Sequence, residues 1–405
     1  MTVLAHNPLF PLSARPTVHV AHGFGPYANT RRALEAVELL PIRGKRVLLK
    51  PNAGRVAAPG SGVVTDPQVV AAAIDAFREA GAEVAVGDSP IIGVDVQEAY
   101  SASGLAAVAQ QRDCPLIDMD RRPCVQVDVP EGRAMRAFQV CADVLEFDLL
   151  VSIPVMKMHM HTGVTLSVKN MKGCLWRRSK VELHMLPALD GNPDKPLDVA
   201  IADLASVLRP HLAIVDGTVG LEGLGPSAGQ PKPLDAVVVS ADAFAADAVA
   251  CRLMGTQAEA IPHLRLGAER GYGVIDLARL EISPEHWHGS ASPFARPPES
   301  LTIEFPNIVV IDRNSCSACQ STLLLFLTRY KDRIFDYFPG QEKVHVAIGK
   351  GHSEVPEGAL LVGNCTAKHR GQGVFVSGCP PVGSQILAAL AGTAPAPPDV
   401  RAPVE

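Results

Sequence analysis

The sequence predicts an α/β fold, a parallel-sheet N-terminal unit followed by a smaller α/β unit, on three observations. First, short apolar, β-branched runs stop at polar loops: RVLLKPN at residues 46–52, then EVAVGDSP, FDLLVSIPV, HLAIVDG and DAVVVSAD. Second, the amphipathic run QVVAAAIDAFREAG lies between the first two, and that succession of strand, loop, helix and strand predicts parallel pairing with right-handed crossovers. Third, a proline- and serine-rich stretch from Glu281 to Pro306 precedes a second set of strand-like runs, NIVVIDRNS, ALLVGNC and GVFVSGC. The expected organisation is therefore a first domain over residues 1–300, a second over 301–390, and a disordered tail over 391–405, where GTAPAPPDVRAPVE carries no periodic apolar pattern.

Residues 1–40 show little patterning. After the strand at 46–52 comes the glycine-rich loop AGRVAAPGSGVVTDP, in which Thr65 or Asp66 caps the following helix and Pro67 occupies its first turn. Loop N–H groups around Gly60 and Gly62 offer a cradle for an anion. The loop matches neither the phosphate-loop pattern nor the G-x-G-x-x-G fingerprint, so neither ATP nor a nicotinamide is expected. The later strand ends carry Asp88 and Ser89, Pro154 to His161, Asp216 to Gly225, and Asp242. In a parallel sheet these gather on one rim, the expected active face. Glu222, in GLEGLGP, reads either as an acid or base on a flexible closing loop or as a surface carboxylate.

The segment KMHMHTGVTLSVKNMKG concentrates Lys157, His159, His161, Lys169, Asn170 and Lys172 after one predicted strand. So many donors suit an anionic ligand: lysines fix carboxylate or phosphate oxygens, and an imidazole moves a proton near neutral pH. We assign His159, His161 and Lys157 as candidate catalytic residues and Lys50, Asn52, Lys169, Asn170 and Lys172 as candidate substrate-binding residues. On a strand, His159 and His161 would share one face. The competing reading is a solvated loop whose histidines cap backbone groups; a metal site would need a third ligand that the sequence does not identify. Cys174 reads either as a redox thiol beside WRRSK or as a small buried hydrophobe, the reading given also to Cys114, Cys124, Cys141 and Cys251.

Four further cysteines, Cys316 and Cys319 in C-S-A-C, Cys365 in G-N-C and Cys379 in G-C-P-P, each follow an apolar run and so lie past a strand end. An iron-sulfur cubane needs four thiolates converging from different directions, and strand-end loops of one sheet supply that. Gly363 and Gly378 permit tight turns there. Zinc and unliganded thiols are the alternatives, although zinc more often takes two close pairs, whereas Cys365 and Cys379 are separated by thirteen intervening residues.

The order of these motifs over about residues 307–390 resembles the proximal-cluster site of nickel-iron hydrogenase small subunits and the related quinone-reductase subunit. That resemblance implies one 4Fe-4S cluster held by Cys316, Cys319, Cys365 and Cys379. Over about residues 45–275, VLLKPN, TDPQVVAAAIDAFREAGAEVAVGDSP, IPVMKMHMHTGVTLSVKNMKGC, IVDGTVGLEGLGPSAG and DAFAADAVACRLMG resemble the domain-of-unknown-function 362 family, whose chemistry is poorly defined.

Composition limits the partners. With 405 residues, 47% hydrophobic and 20% charged, the chain has the makeup of a globular protein, and no apolar run reaches the roughly 18–20 residues of a membrane span. A net charge of −5 without a basic block gives no reason to expect nucleic acid. Nine cysteines, an odd number, and no opening signal sequence predict a cytoplasmic location without disulfides. The expected function is an iron-sulfur redox enzyme acting on a small anionic substrate or cofactor, fed by an external electron-donor protein. A cluster-dependent lyase or dehydratase and a non-catalytic electron carrier are the alternatives, and a homo-oligomer is compatible with the sequence.

Overall fold

A computed structural model describes residues 7–10, 15–184, 186, 189, 191–297, 304–315, 317–378, 380, 381 and 383–392. The chain forms two compact units, Met1–Pro298 and Glu299–Glu405.

The strands of the first unit are β1 Thr17–His22, β2 Arg46–Pro51, β3 Glu83–Asp88, β4 Leu116–Asp118, β5 Cys124–Asp128, β6 Ala137–Cys141, β7 Leu149–Ile153, β8 Val155–His159, β9 Gly163–Thr165, β10 Leu212–Glu222, β11 Gln230–Ser240 and β12 Glu281–Ser283. Its helices are α1 Gly25–Glu35, α2 Pro67–Glu79, α3 Val96–Ala102, α4 Leu105–Gln111, α5 Ser167–Asn170, α6 Ser179–Glu182, α7 Pro196–Val207, α8 Ala243–Leu253 and α9 Pro262–Glu269. Ten strands make one sheet in the order β12-β1-β11-β10-β7-β2-β3-β4, with β8 beside β10 and β9 beside β8. The strands β5 and β6 form a separate hairpin.

The run RVLLKP is apolar on both sides because helices cover both faces of the sheet. Val47 and Leu49 pack with Leu34 of α1, Val69 and Phe77 of α2 and Val108 of α4. Leu48 points the other way, into a core with Ile201 of α7 and Phe244 of α8. Asp66 caps α2, its carboxylate accepting from Gln68 N at 2.8 Å, and Pro67 opens the helix. Thr65 serves a different purpose: its hydroxyl donates to Ile153 O and accepts from Asn52 N, tying the loop to the sheet.

The α/β class and the parallel core, β4-β3-β2-β7-β10, are as expected. Beyond β10 the sheet nevertheless contains antiparallel pairing, because DAVVVSAD follows β10 through a hairpin and β1 then pairs antiparallel with β11 before β12 adds parallel at the edge. Asp242 therefore leaves the sheet on the side where β10 begins, and it caps α8 by accepting from Phe244 N and Ala245 N. It does not belong to the rim expected for it. Residues 17–35, which carry little pattern, hold β1 and α1. Glu281–Ser283, read as the start of a linker, is the edge strand β12 of the same sheet.

The second unit has β13 Glu304–Phe305, β14 Ile308–Asp312, β15 Val344–Ile348, β16 Ala359–Val362 and β17 Gly373–Val376, in that spatial order, with helices α10 Ser317–Tyr330 and α11 Gly383–Leu390. The four strands from β14 to β17 run parallel, so their carboxyl ends share one rim. The expected tail lies outside the described residues from residue 393 onward.

Candidate functional site: a cationic rim on the first unit

The carboxyl ends of β2, β3 and β8 and the short helix α5 bring Lys50, Asn52, Lys157 and Asn170 into one hydrogen-bonded chain. Lys50 Nζ pairs with Asp88 Oδ1 at 2.7 Å, both side chains almost fully buried, and donates to Asn170 Oδ1 at 3.2 Å. Asn170 Nδ2 returns a bond to Lys50 O and another to Ser152 Oγ. Asn52 Nδ2 donates to the same Asn170 oxygen, while Lys157 Nζ donates to Asn52 Oδ1 at 2.8 Å and to Val63 O at 2.7 Å. Ala53 N occupies the second oxygen of Asp88 at 2.7 Å. Removing one member of a buried ion pair strands its partner at a cost of about 3–5 kcal/mol, so the Lys50–Asp88 pair anchors the floor of the rim.

Above this floor the cations outnumber the carboxylates. Burial holds the Lys157 ammonium well below its ordinary range, and Lys169 and Arg55 push it further the same way. Burial brings Lys169 down to about 8, opposed by Asp198, and Arg55 down to about 10. His159 is buried and held well below an ordinary histidine by burial first, then by Lys169, His161, His184 and Lys172. His184 is depressed in the same way by burial and Lys172, with which its ring is in direct contact. Asp88, the carboxylate that opposes this shift at Lys157, is already engaged with Lys50 and the Ala53 amide. Such a set of basic groups, buried and short of carboxylate partners, lowers the free energy of any anion that enters.

Asp247 of α8 positions part of this set. Its two carboxylate oxygens accept from Ser167 N at 2.8 Å and Val168 N at 2.9 Å, capping the helix that carries Lys169 and Asn170. Burial raises its carboxyl to about 7. Asp216, raised by burial to about 6, accepts from Asp66 N and Thr218 N and so holds the glycine-rich loop against β10.

Several expectations change. His159 closes β8 but His161 lies in the following turn, so the two share no strand face; the His161 amide instead donates to His159 Nδ1 at 3.2 Å. A Cβ on Gly62 would lie 2.3 Å from Gly220 O, so this glycine serves close backbone contact, and the loop contributes the Val63 carbonyl to Lys157. Glu222 faces Ala295 N at 2.8 Å and Lys232 at 3.9 Å, and Gly225 is pressed against Met158 O, which makes GLEGLGP a packed hairpin end. Arg55, His184, Asp198 and Asp247 were not singled out from the sequence. Only Arg55, in the glycine-rich loop after a strand, carried a signal, a lone cation among small residues. Among the described residues, no group of three His, Cys, Asp or Glu side chains is placed to hold a metal ion.

In the second unit Cys319 sits in the first turn of α10, after β14, and Cys365 in the turn after β16; Cys316 and Cys379 lie outside the described residues. Gly363 and Gly378 both have positive φ, as their expected turns require. A Cβ on Gly363 would lie 3.1 Å from Cys319 Sγ, 3.6 Å from Gly378 O and 3.8 Å from Pro381 Cδ. The loops after β16 and β17 are laced together by Asn364 N to Gly378 O and Gly378 N to Asn364 Oδ1. The thiol of Cys319 thus lies close to where the loops after β16 and β17 meet.

The fold and rim define a doubly covered α/β protein with a cation-lined strand-end site. By sequence the chain belongs to the family described as Domain of unknown function (DUF362), whose model matches residues 47–252. It is 30% identical over 219 residues to the thylakoid-associated protein sll1697 of Synechocystis sp. (strain ATCC 27184 / PCC 6803 / Kazusa). That match covers 54% of this chain and 66% of the relative, just short of two thirds of its length. Among solved structures, the lactate racemase apoprotein of Thermoanaerobacterium thermosaccharolyticum aligns with a TM-score of 0.39 at 13% identity, over 84% of this chain and 70% of that one. A structural-genomics structure from Thermotoga maritima aligns with a TM-score of 0.31 at 13% identity, over 52% of this chain and 54% of the other. No described helix is long and apolar enough to cross a membrane.

Proposed function

We propose that this chain is an iron-sulfur redox enzyme whose cationic rim binds a small anionic substrate or cofactor. The observation that carries the binding half is the gathering of Lys157, Lys169, Lys172, Arg55, His159 and His184, in which burial first, and then neighbouring cations, lower the protonation of Lys157, His159 and His184. Lys169, Lys172 and Arg55 fix the anion's oxygens. Lys157, held by Asn52 and Val63, presents an amine whose proton is easily given up, and His159, neutral at pH near 7, serves as the proton acceptor.

In this reading Cys316, Cys319, Cys365 and Cys379 hold one 4Fe-4S cluster. When bound, such a cluster supplies or accepts single electrons at low potential. An external electron-donor protein and a cytoplasmic, thiol-preserving setting belong to the same proposal. The convergence of the Cys319 thiol with the loops after β16 and β17 supports it.

The test is the iron and acid-labile sulfide content of anaerobically purified protein, with paramagnetic resonance spectra before and after dithionite, on wild type and Cys379→Ser. About four irons and four sulfides per chain with a reducible signal, altered in the variant, is the expected result. Zinc, or no metal, would remove the redox half and leave an anion-binding protein.

A further inference from the structure

Three cysteines of the first unit stand in a row. Cys124 and Cys141 are direct partners across the antiparallel strands β5 and β6. Cys124 Sγ lies 3.1 Å from Gln139 Oε1, which places it on the face that Gln139 and Cys141 share as alternate residues of β6. On the other side of β6, Val140 pairs antiparallel with Leu175, and Trp176 N donates to Gln139 O at 2.8 Å. One residue on from Val140 and one back from Leu175 sets Cys174 opposite Cys141. The row runs from half-buried Cys124 to fully buried Cys141 and Cys174. Directly opposed residues in antiparallel strands have Cα atoms about 4.5–5.5 Å apart, inside the span of about 4.4–6.8 Å that a disulfide bridges.

The inner end of the row reaches the floor of the rim. A Cβ on Gly173, the neighbour of Cys174, would lie 2.6 Å from Lys50 Nζ and 2.9 Å from Asp88 Oδ1. Asp120 and Lys180 flank the middle: Cys141 Sγ is 4.0 Å from Asp120 Oδ1, and Lys180 Nζ pairs with Asp120 Oδ2 at 3.2 Å.

We propose that Cys124, Cys141 and Cys174 form a thiol-disulfide exchange site that accepts oxidising equivalents from a low-molecular-weight disulfide at Cys124 and stores them as a Cys141–Cys174 bond. In the first step the Cys124 thiolate attacks the small disulfide, forming a mixed disulfide and releasing one small thiol. Cys141 then attacks the Cys124 sulfur, its proton passing by way of Asp120 to the second small thiol as that leaves. Finally Cys174 attacks the Cys141 sulfur, and its proton returns to Cys124 as a thiol. The net change is two protein thiols oxidised to one disulfide and one small disulfide reduced to two thiols.

Burial fixes the direction of entry. It pushes the Cys174 thiol up to about 12 and raises that of Cys141 as well, which leaves neither reactive toward an oxidant in bulk water. Within the row, proximity replaces nucleophilicity. An expectation of no structural disulfides is compatible with this, because exchange of this kind is reversible under reducing conditions.

The experiment exposes the full-length protein to oxidised glutathione, blocks remaining thiols by alkylation and maps linked peptides by mass spectrometry. The expected result is a Cys141–Cys174 link in wild type, reversed by dithiothreitol. Cys124→Ser should slow its formation about tenfold or more. Cys141→Ser should accumulate glutathione on Cys124. Absence of any link among the three cysteines in wild type, or an equal rate in Cys124→Ser, would overturn the proposal. The linkage map reads only these thiols, so it stands or falls separately from the iron content that tests the redox function.

Discussion

Burial first, and then Lys169 as the foremost charged neighbour, lowers the protonation of both Lys157 and His159. These bases bind protons less readily in the folded chain than in the unfolded one, so the unfolded chain holds more protons and stability rises with pH through their windows. For the histidines the loss of stability comes as pH falls through about 6.5, the unfolded value. An anion in the rim favours the charged forms and reverses the sign, so binding takes up protons. With sulfate as probe, whose charge stays constant, affinity should weaken as pH rises above about 8, by up to about tenfold per unit for each proton taken up. Calorimetry in buffers of differing ionisation enthalpy would detect the uptake; a pH-independent affinity without proton exchange would refute it. At this scale Lys50 and Asn52 were legible because polar residues that end an apolar run mark a strand terminus, and Lys157 and Asn170 because KMHMHTGVTLSVKNMKG concentrates donors after one. Arg55 was legible only as a lone cation in the glycine-rich loop and His184 not at all, since each lies in a stretch without periodicity and acquires its neighbours only on folding.

At the scale of elements, a helix of four residues cannot hold itself. The segment α5 owes its first turn to Asp247 of α8, a carboxylate that reads in sequence as one polar residue in the alanine-rich AFAADAVACRL. Asp247→Ala should destabilise the protein by about 0.5–2 kcal/mol, as loss of a helix cap does, and should weaken sulfate binding with it, because Lys169 and Asn170 ride on that turn. Urea denaturation followed by sulfate titration checks both, and an unchanged affinity would mean that Lys169 is positioned otherwise. The hairpin between β10 and β11 teaches a related lesson. Its apolar runs were visible as strands, but direction is set by the connection, and GLEGLGPSAG resembles an active-site loop as much as a turn. The packing that distinguishes the two, Gly225 against Met158 O and Gly62 against Gly220 O, is long-range.

On the scale of the whole molecule, every residue of the cationic rim belongs to the unit Met1–Pro298, which has its own two-sided core, whereas the four C-terminal cysteines belong to Glu299–Glu405. A chain ending at residue 298 should therefore bind sulfate with the affinity of the full-length protein while carrying none of its iron. Loss of sulfate binding in a folded truncated chain would show that the second unit contributes to the rim. The sequence by itself determined the α/β class, the strand ends, the cap at Asp66 and the residue types available for binding, because periodicity, helix caps and turn residues act over a few positions. Only the tertiary structure decided strand direction at the sheet edge, the displacement of Asp242 from the rim, the linking of Lys50 to Lys157 through Asn170 and Asn52, and the row of three cysteines. These depend on which distant segments are brought together, and burial then assigns each buried charge or thiol its partner and its protonation.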